Sequence, residues 1–162
     1  QSVRHELGDI HSFEQLSALA QQADIDAVID AQDSRLLAPE SMIGVLREMC
    51  AETGQQVPVS PGELARVIAQ SLAQGYRAAV LQLEEMAGHR VDCLHIVGGG
   101  SRDDFLNTLT AQATGRRVYA GPAEATALGN LLVQMLHFGQ FPDWASARAA
   151  IGRSGEIRLV GR

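Results

Sequence analysis

With 162 residues, 46% of them hydrophobic and 20% charged, the chain is long enough for one ordinary domain and needs neither a disulfide scaffold nor a metal staple to fold. A net charge of −6 without any run of Lys or Arg argues against nucleic acid as a partner. Two well-separated cysteines, Cys50 and Cys93, and the lack of a stretch of roughly 20 apolar residues or of a basic-then-apolar leader lead us to expect a reduced, cytoplasmic protein outside the membrane.

The chain opens Gln1-Ser2-Val3 without methionine, so we expect it to be cut from something longer. Ser12 is a candidate N-cap for a short helix ending near Ala23, with Phe13, Leu16, Leu19 and Ala20 at helical spacing. Ala27 to Arg35 reads as a short, turn-rich connection. Pro39-Glu40-Ser41 then opens a helix whose stripe of Met42, Ile43, Leu46, Met49 and Cys50 faces a core and stops at Gly54. The clearest start signal follows, because Ser60 can cap, Pro61 suits the first helical position and Glu63 completes a capping box. The spacing from Leu64 to Met86 predicts one long helix ending at Gly88.

Leu94-His95-Ile96-Val97 reads as a buried strand. Gly98-Gly99-Gly100 comes next, then a helix through Phe105, Leu106, Leu109 and Ala113 to Gly115, and a second strand over Arg117-Val118-Tyr119-Ala120. Glu124 to Phe138 reads as a helix interrupted by Gly129, where a close neighbour would need room, and a last helix covers Trp144 to Ile151. The class is α/β with helices dominating.

Three glycines between a strand and a helix carry the one local pattern with a chemical use. Glycine reaches positive φ and removes the side chains that would hold a ligand away. A helix starting near Ser101 would aim unpaired N–H groups and its positive dipole end at phosphate or ribose oxygens. A tight connection with no ligand explains the same glycines. Asp103 stands where G-x-G-x-x-G requires glycine, and no GK[ST] follows, which disfavours a dinucleotide fold and a P-loop. Asp103-Asp104 could act as paired carboxylates or simply answer the helix dipole. His95 reads as a core or edge histidine, and Cys50 and Cys93 as buried and structural.

The run Leu94 to Ser101, continued by Leu106-Asn107, Leu109-Thr110-Ala111, Ala113-Thr114-Gly115 and Val118, resembles the adenosine motif of the FGGY carbohydrate kinases. Ala120 to Asn130 is similar to the helix closing that site. Asp33 to Met42, Glu52-Thr53-Gly54-Gln55 with Pro58, Glu63 to Arg66 and Ser71-Leu72-Ala73 resemble the rhamnulokinase subgroup. The resemblance runs from Gln1 to about Ile151. It implies an actin-like, ribonuclease-H-like ATPase fold, of which this chain is most of the C-terminal, nucleotide-binding domain, the sugar-binding domain lying upstream. It also implies ATP and Mg²⁺, a sugar substrate, and transfer of a phosphoryl group to L-rhamnulose. Carried over residue by residue, the ATP contacts are Gln1, Gly98, Gly99, Gly100, Ser101, Arg102 and Asp103, with the aspartate base outside the chain. Departures stand at Arg102-Asp103, where a Gln-Asn pair is usual, and at Gln112, Ala31 and Leu36. The former place nucleotide preference in question. Other FGGY sugars (L-fuculose, xylulose, glycerol) and a non-catalytic binding module stay open.

Overall fold

A computed structural model describes residues 1–153 and 157–160. Among these residues the chain forms seven α-helices and three strands, the helix-rich α/β class expected from the sequence. It divides into two compact units, Gln1–Arg90 and Val91–Arg162.

The first unit is helical: α1 (Ser2–Glu6), α2 (Phe13–Gln22), α3 (Met42–Glu52) and α4 (Pro61–Ala87). The expected capping box of α4 is present. The Glu63 amide donates to the Ser60 hydroxyl at 3.2 Å, while the Glu63 carboxylate accepts from the amides of Ser60 and Val59, each at 2.8 Å. Gly88 ends the helix with φ +69°. A second capping box, Ser12 with Gln15, starts α2. Where α2 meets α4, Gly62 takes the place of any larger residue, since a Cβ there would stand 2.9 Å from the carbonyl oxygen of Leu19. The core gathers Ile25, Leu46, Met49, Cys50, Leu64 and Val67. Cys50 is structural as expected, and burial pushes its thiol pKa up.

Two features of this unit were not expected. The five-residue α1 adds its Glu6 carboxylate to the start of α3, accepting from the Ser41 hydroxyl (2.8 Å) and from the amides of Met42 (2.5 Å) and Ile43 (3.3 Å). The stretch from Ile25 to Ile29, of which Ala27 to Ile29 were expected to be turn-rich, holds no turn, and Ile25, Ala27 and Ile29 are buried in the alternation of a strand. Side chains supply the bonds that a neighbouring strand would give. Gln55 accepts from the Val28 amide and donates to the Val28 carbonyl, both at 2.8 Å, and the Ser71 hydroxyl accepts from the Ile29 amide at 3.0 Å. Turn character begins at Ala31-Gln32, where the Asp33 amide donates to the Asp30 carbonyl at 3.2 Å, and continues in the Asp33-capped 3-10 turn Ser34–Leu36, so the expected turn-rich stretch holds from Ala31 onward.

The second unit holds β1 (Cys93–Ile96), α5 (Asp104–Thr114), β2 (Arg117–Ala120), α6 (Ala125–His137), α7 (Trp144–Arg153) and β3 (Arg158–Val160). The sheet order is β1-β2-β3, with β1 and β2 parallel through the crossover helix α5 and β3 antiparallel to β2. Val118 and Ala120 are fully buried. The expectation that Leu94 to Val97 is a buried strand needs correction. The strand is Cys93–Ile96, His95 and Val97 are exposed, and Cys93 is half-buried. Alternation explains it, because His95 and Tyr119 share the face opposite Val118 and Ala120 and stack there with centroids 5.2 Å apart. Gly129 also departs from expectation: a Cβ at that position meets nothing within 4 Å, so no neighbour among the described residues requires a glycine.

Candidate functional site

The site is built where β1 and β2 end. Beyond the last ladder pair, Ile96 with Ala120, the Gly121 amide donates to the Ile96 carbonyl at 2.8 Å and the Gly98 amide donates to the Pro122 carbonyl at 3.1 Å. The two strand exits are thus tied side by side. Gly98 then takes φ +76° and ψ −162°, a conformation essentially reserved for glycine, and the chain curls into a 3-10 turn over Gly99–Arg102. The Ser101 amide and hydroxyl both donate to the Gly98 carbonyl, at 3.1 and 2.7 Å.

The helix after the glycines begins at Asp104, not near Ser101. Asp103 is its N-cap, accepting from the Leu106 amide at 3.1 Å. Aspartate is a strong cap, and the glycine-rich residues before it close 3-10 bonds instead. The N–H groups of the helix start are therefore partly answered by the chain itself. Asp104 pairs with Arg158, so neither aspartate stands as a carboxylate dyad.

Gly99 differs from its neighbour. It has no positive φ, and a Cβ placed on it would meet nothing within 4 Å. The fold asks for glycine at 98 but leaves open space at 99. Beside the turn lies an open cleft of about 360 Å³. Its polar wall is Ser101, Arg102, Glu124 and Arg158, and its apolar floor is Ala120, Ala123 and Leu128. Arg102 and Glu124 approach to 3.9 Å but are both well exposed, which makes a weak pair. The exposed Arg102 guanidinium beside apolar Ala120, Ala123 and Leu128 suits a flat ring carrying an anionic tail.

Of the residues expected at the site, Ser101 and Arg102 line this cleft, Gly98 to Gly100 form the turn beside it, and Asp103 is taken up in capping. Gln1 lies in the other unit, exposed, as the N-cap of α1. Sequence reasoning missed Arg158. The only signal for β3 is the short apolar run around it, Ile157, Leu159 and Val160. No group of three or more His, Cys, Asp or Glu side chains that could hold a metal ion occurs among the described residues. No helix among them is long and apolar enough to cross a membrane.

Residues 2–138 match the model of the FGGY family of carbohydrate kinases, C-terminal domain. The chain is 38% identical to a rhamnulokinase of Oceanobacillus iheyensis over 97% of its length, and 41% identical to rhamnulokinases of Lactiplantibacillus plantarum and Bacillus subtilis, each over 98%. In all three cases it spans about a third (33%) of the relative's length.

Proposed function

The chain belongs to the FGGY family of carbohydrate kinases, and from that premise we propose that it is the nucleotide-binding C-terminal domain of an ATP-dependent sugar kinase acting on L-rhamnulose. The observation that carries the nucleotide reading is Gly99. Neither backbone conformation nor packing calls for glycine there, and beside the cleft this leaves open space for a ligand that comes close to the turn. The cleft alongside fits a nucleotide, with apolar Ala120, Ala123 and Leu128 for the base and Arg102 for the phosphate side. The choice of L-rhamnulose rests on the relatives' name and on the subgroup-like stretches around Asp33 and Gly54.

In this reading the domain contributes positioning and charge stabilisation to phosphoryl transfer, with little covalent chemistry of its own. Gly98 shapes the turn, Gly99 and Gly100 leave room, and Ser101 and Arg102 border the nucleotide. Gln1 as an ATP contact is supported by the family resemblance alone. Mg²⁺ would come with the nucleotide phosphates and neutralise charge as the phosphoryl group moves. The base that activates the sugar hydroxyl and most sugar contacts belong to an N-terminal domain, so these residues alone should not phosphorylate a sugar.

The test uses the complete protein. Gly99→Val should weaken Mg-ADP binding by at least about tenfold in calorimetric titration while leaving thermal stability unchanged. An unchanged titration removes the assigned role. A coupled ADP-release assay with L-rhamnulose, L-fuculose, xylulose and glycerol tests the sugar, and a preference for xylulose or glycerol overturns that part. If the complete protein binds nucleotide but turns over no sugar, the non-catalytic module is the better reading.

A further inference from the structure

We propose that Arg158 is a positioning residue for the nucleotide: from β3 it holds the glycine turn in its receptive shape, and so sets nucleotide affinity without touching the reacting atoms. This deepens the kinase reading above and rests on it. The pivot is the carbonyl of Ser101, a buried residue that also walls the cleft. Two side chains donate to that one oxygen, Asn107 Nδ2 at 3.1 Å and Arg158 Nη2 at 2.8 Å. The other terminal nitrogen of the same guanidinium, Nη1, pairs with the Asp104 carboxylate. The planar fork thus bridges the 3-10 turn and the first residue of α5, one anchor on each side of Arg102-Asp103.

The sheet register makes this reach possible. Arg158 sits opposite Ala120, a residue of the cleft floor, so β3 delivers its side chain to the cleft wall. The pair with Asp104 is half exposed and counts for little by itself. The bond to Ser101 matters more, because it is charge-assisted and fixes a buried backbone carbonyl. Asn107 is the second side-chain donor to that carbonyl. It is fully buried, and its own Oδ1 has no hydrogen-bond partner among the described residues. Without Arg158 the turn would sample other conformations, and a nucleotide would have to order it on binding. Lysine cannot replace the fork, since an ammonium is a compact point charge and not a planar pair of donors.

The experiment compares Arg158→Met, Arg158→Lys and Asp104→Asn with the unmodified complete protein, by Mg-ADP calorimetry, steady-state kinetics and thermal melting. Both Arg158 variants should bind Mg-ADP about tenfold more weakly and raise KM for ATP alike, with kcat and sugar KM nearly unchanged. Asp104→Asn keeps the Ser101 bond and should lose less than about threefold. Wild-type affinity in Arg158→Met overturns the proposal. So does full rescue by lysine, which would make charge alone sufficient. A fall of kcat and melting temperature together with a rise of both KM values would show general support of the fold, and overturns it too. If the unmodified protein binds no Mg-ADP, the kinase reading itself fails, an outcome distinct from variants that match a binding wild type.

Discussion

Gly98 and Gly99 are adjacent and chemically identical, yet they are glycine for different reasons. At Gly98 the backbone (φ +76°, ψ −162°) strains any other residue, whereas at Gly99 a methyl group fits into open space. Gly98→Ala should therefore cost about 1–3 kcal/mol in urea unfolding, and Gly99→Ala should stay within about 0.5 kcal/mol of wild type. Equal costs would erase the distinction on which the ligand reading depends. The sequence makes the triple glycine visible but cannot assign these roles, because φ belongs to the folded backbone. Ser71 shows the same limit. It reads as one more position on the α4 stripe, yet its buried hydroxyl donates to the Val67 carbonyl at 2.6 Å while accepting from Ile29. Nothing in helical periodicity announces a hydroxyl with a partner 42 residues away.

Among the elements, those with strong local signals were legible and those fixed by distant partners were not. Capping box, terminal glycine and a long apolar stripe locate α4 to within a residue at each end, and Gly115 with φ +63° closes α5 as read. By contrast α1 has five residues, too few for a period, and β3 has three and exists through its pairing with β2. The start of α5 was misplaced because Ser101 and Asp103 are both plausible caps, and only the 3-10 bonds of the turn decide between them. The crossing of α2 and α4 was also invisible, although it turns on one residue. Gly62→Ala would drive a Cβ against the backbone of Leu19, which cannot swing aside, and should cost about 1–3 kcal/mol by chemical denaturation. A neutral result would mean that the two helices slide freely.

For the whole molecule, acid is the informative variable. Amides of Ser60 and Val59 hold the Glu63 carboxyl below its ordinary value of 4.5. Burial raises Glu6, but the Ser41 hydroxyl and the amides of Met42 and Ile43 outweigh it and leave this pKa lowered as well. Both groups bind protons less readily folded than unfolded. Their contribution is complete above about pH 4.5 and is lost as pH falls through the folded values. The melting temperature should accordingly drop between about pH 5 and pH 3, and Glu63→Gln should flatten that drop. A Gln variant as acid-sensitive as wild type would show that the capping carboxylate is not responsible.

Order of synthesis gives the contact between Arg158 and Ser101 a meaning in time. The two residues are 57 positions apart, which at ordinary translation rates is about 3–11 s of elongation. During that interval Ser101 is already made while its guanidinium partner is not, and Asn107, six positions further on, is the side chain at hand to hold the Ser101 carbonyl. Competence for the nucleotide then arrives late, as one of the last properties this stretch of chain acquires on the ribosome.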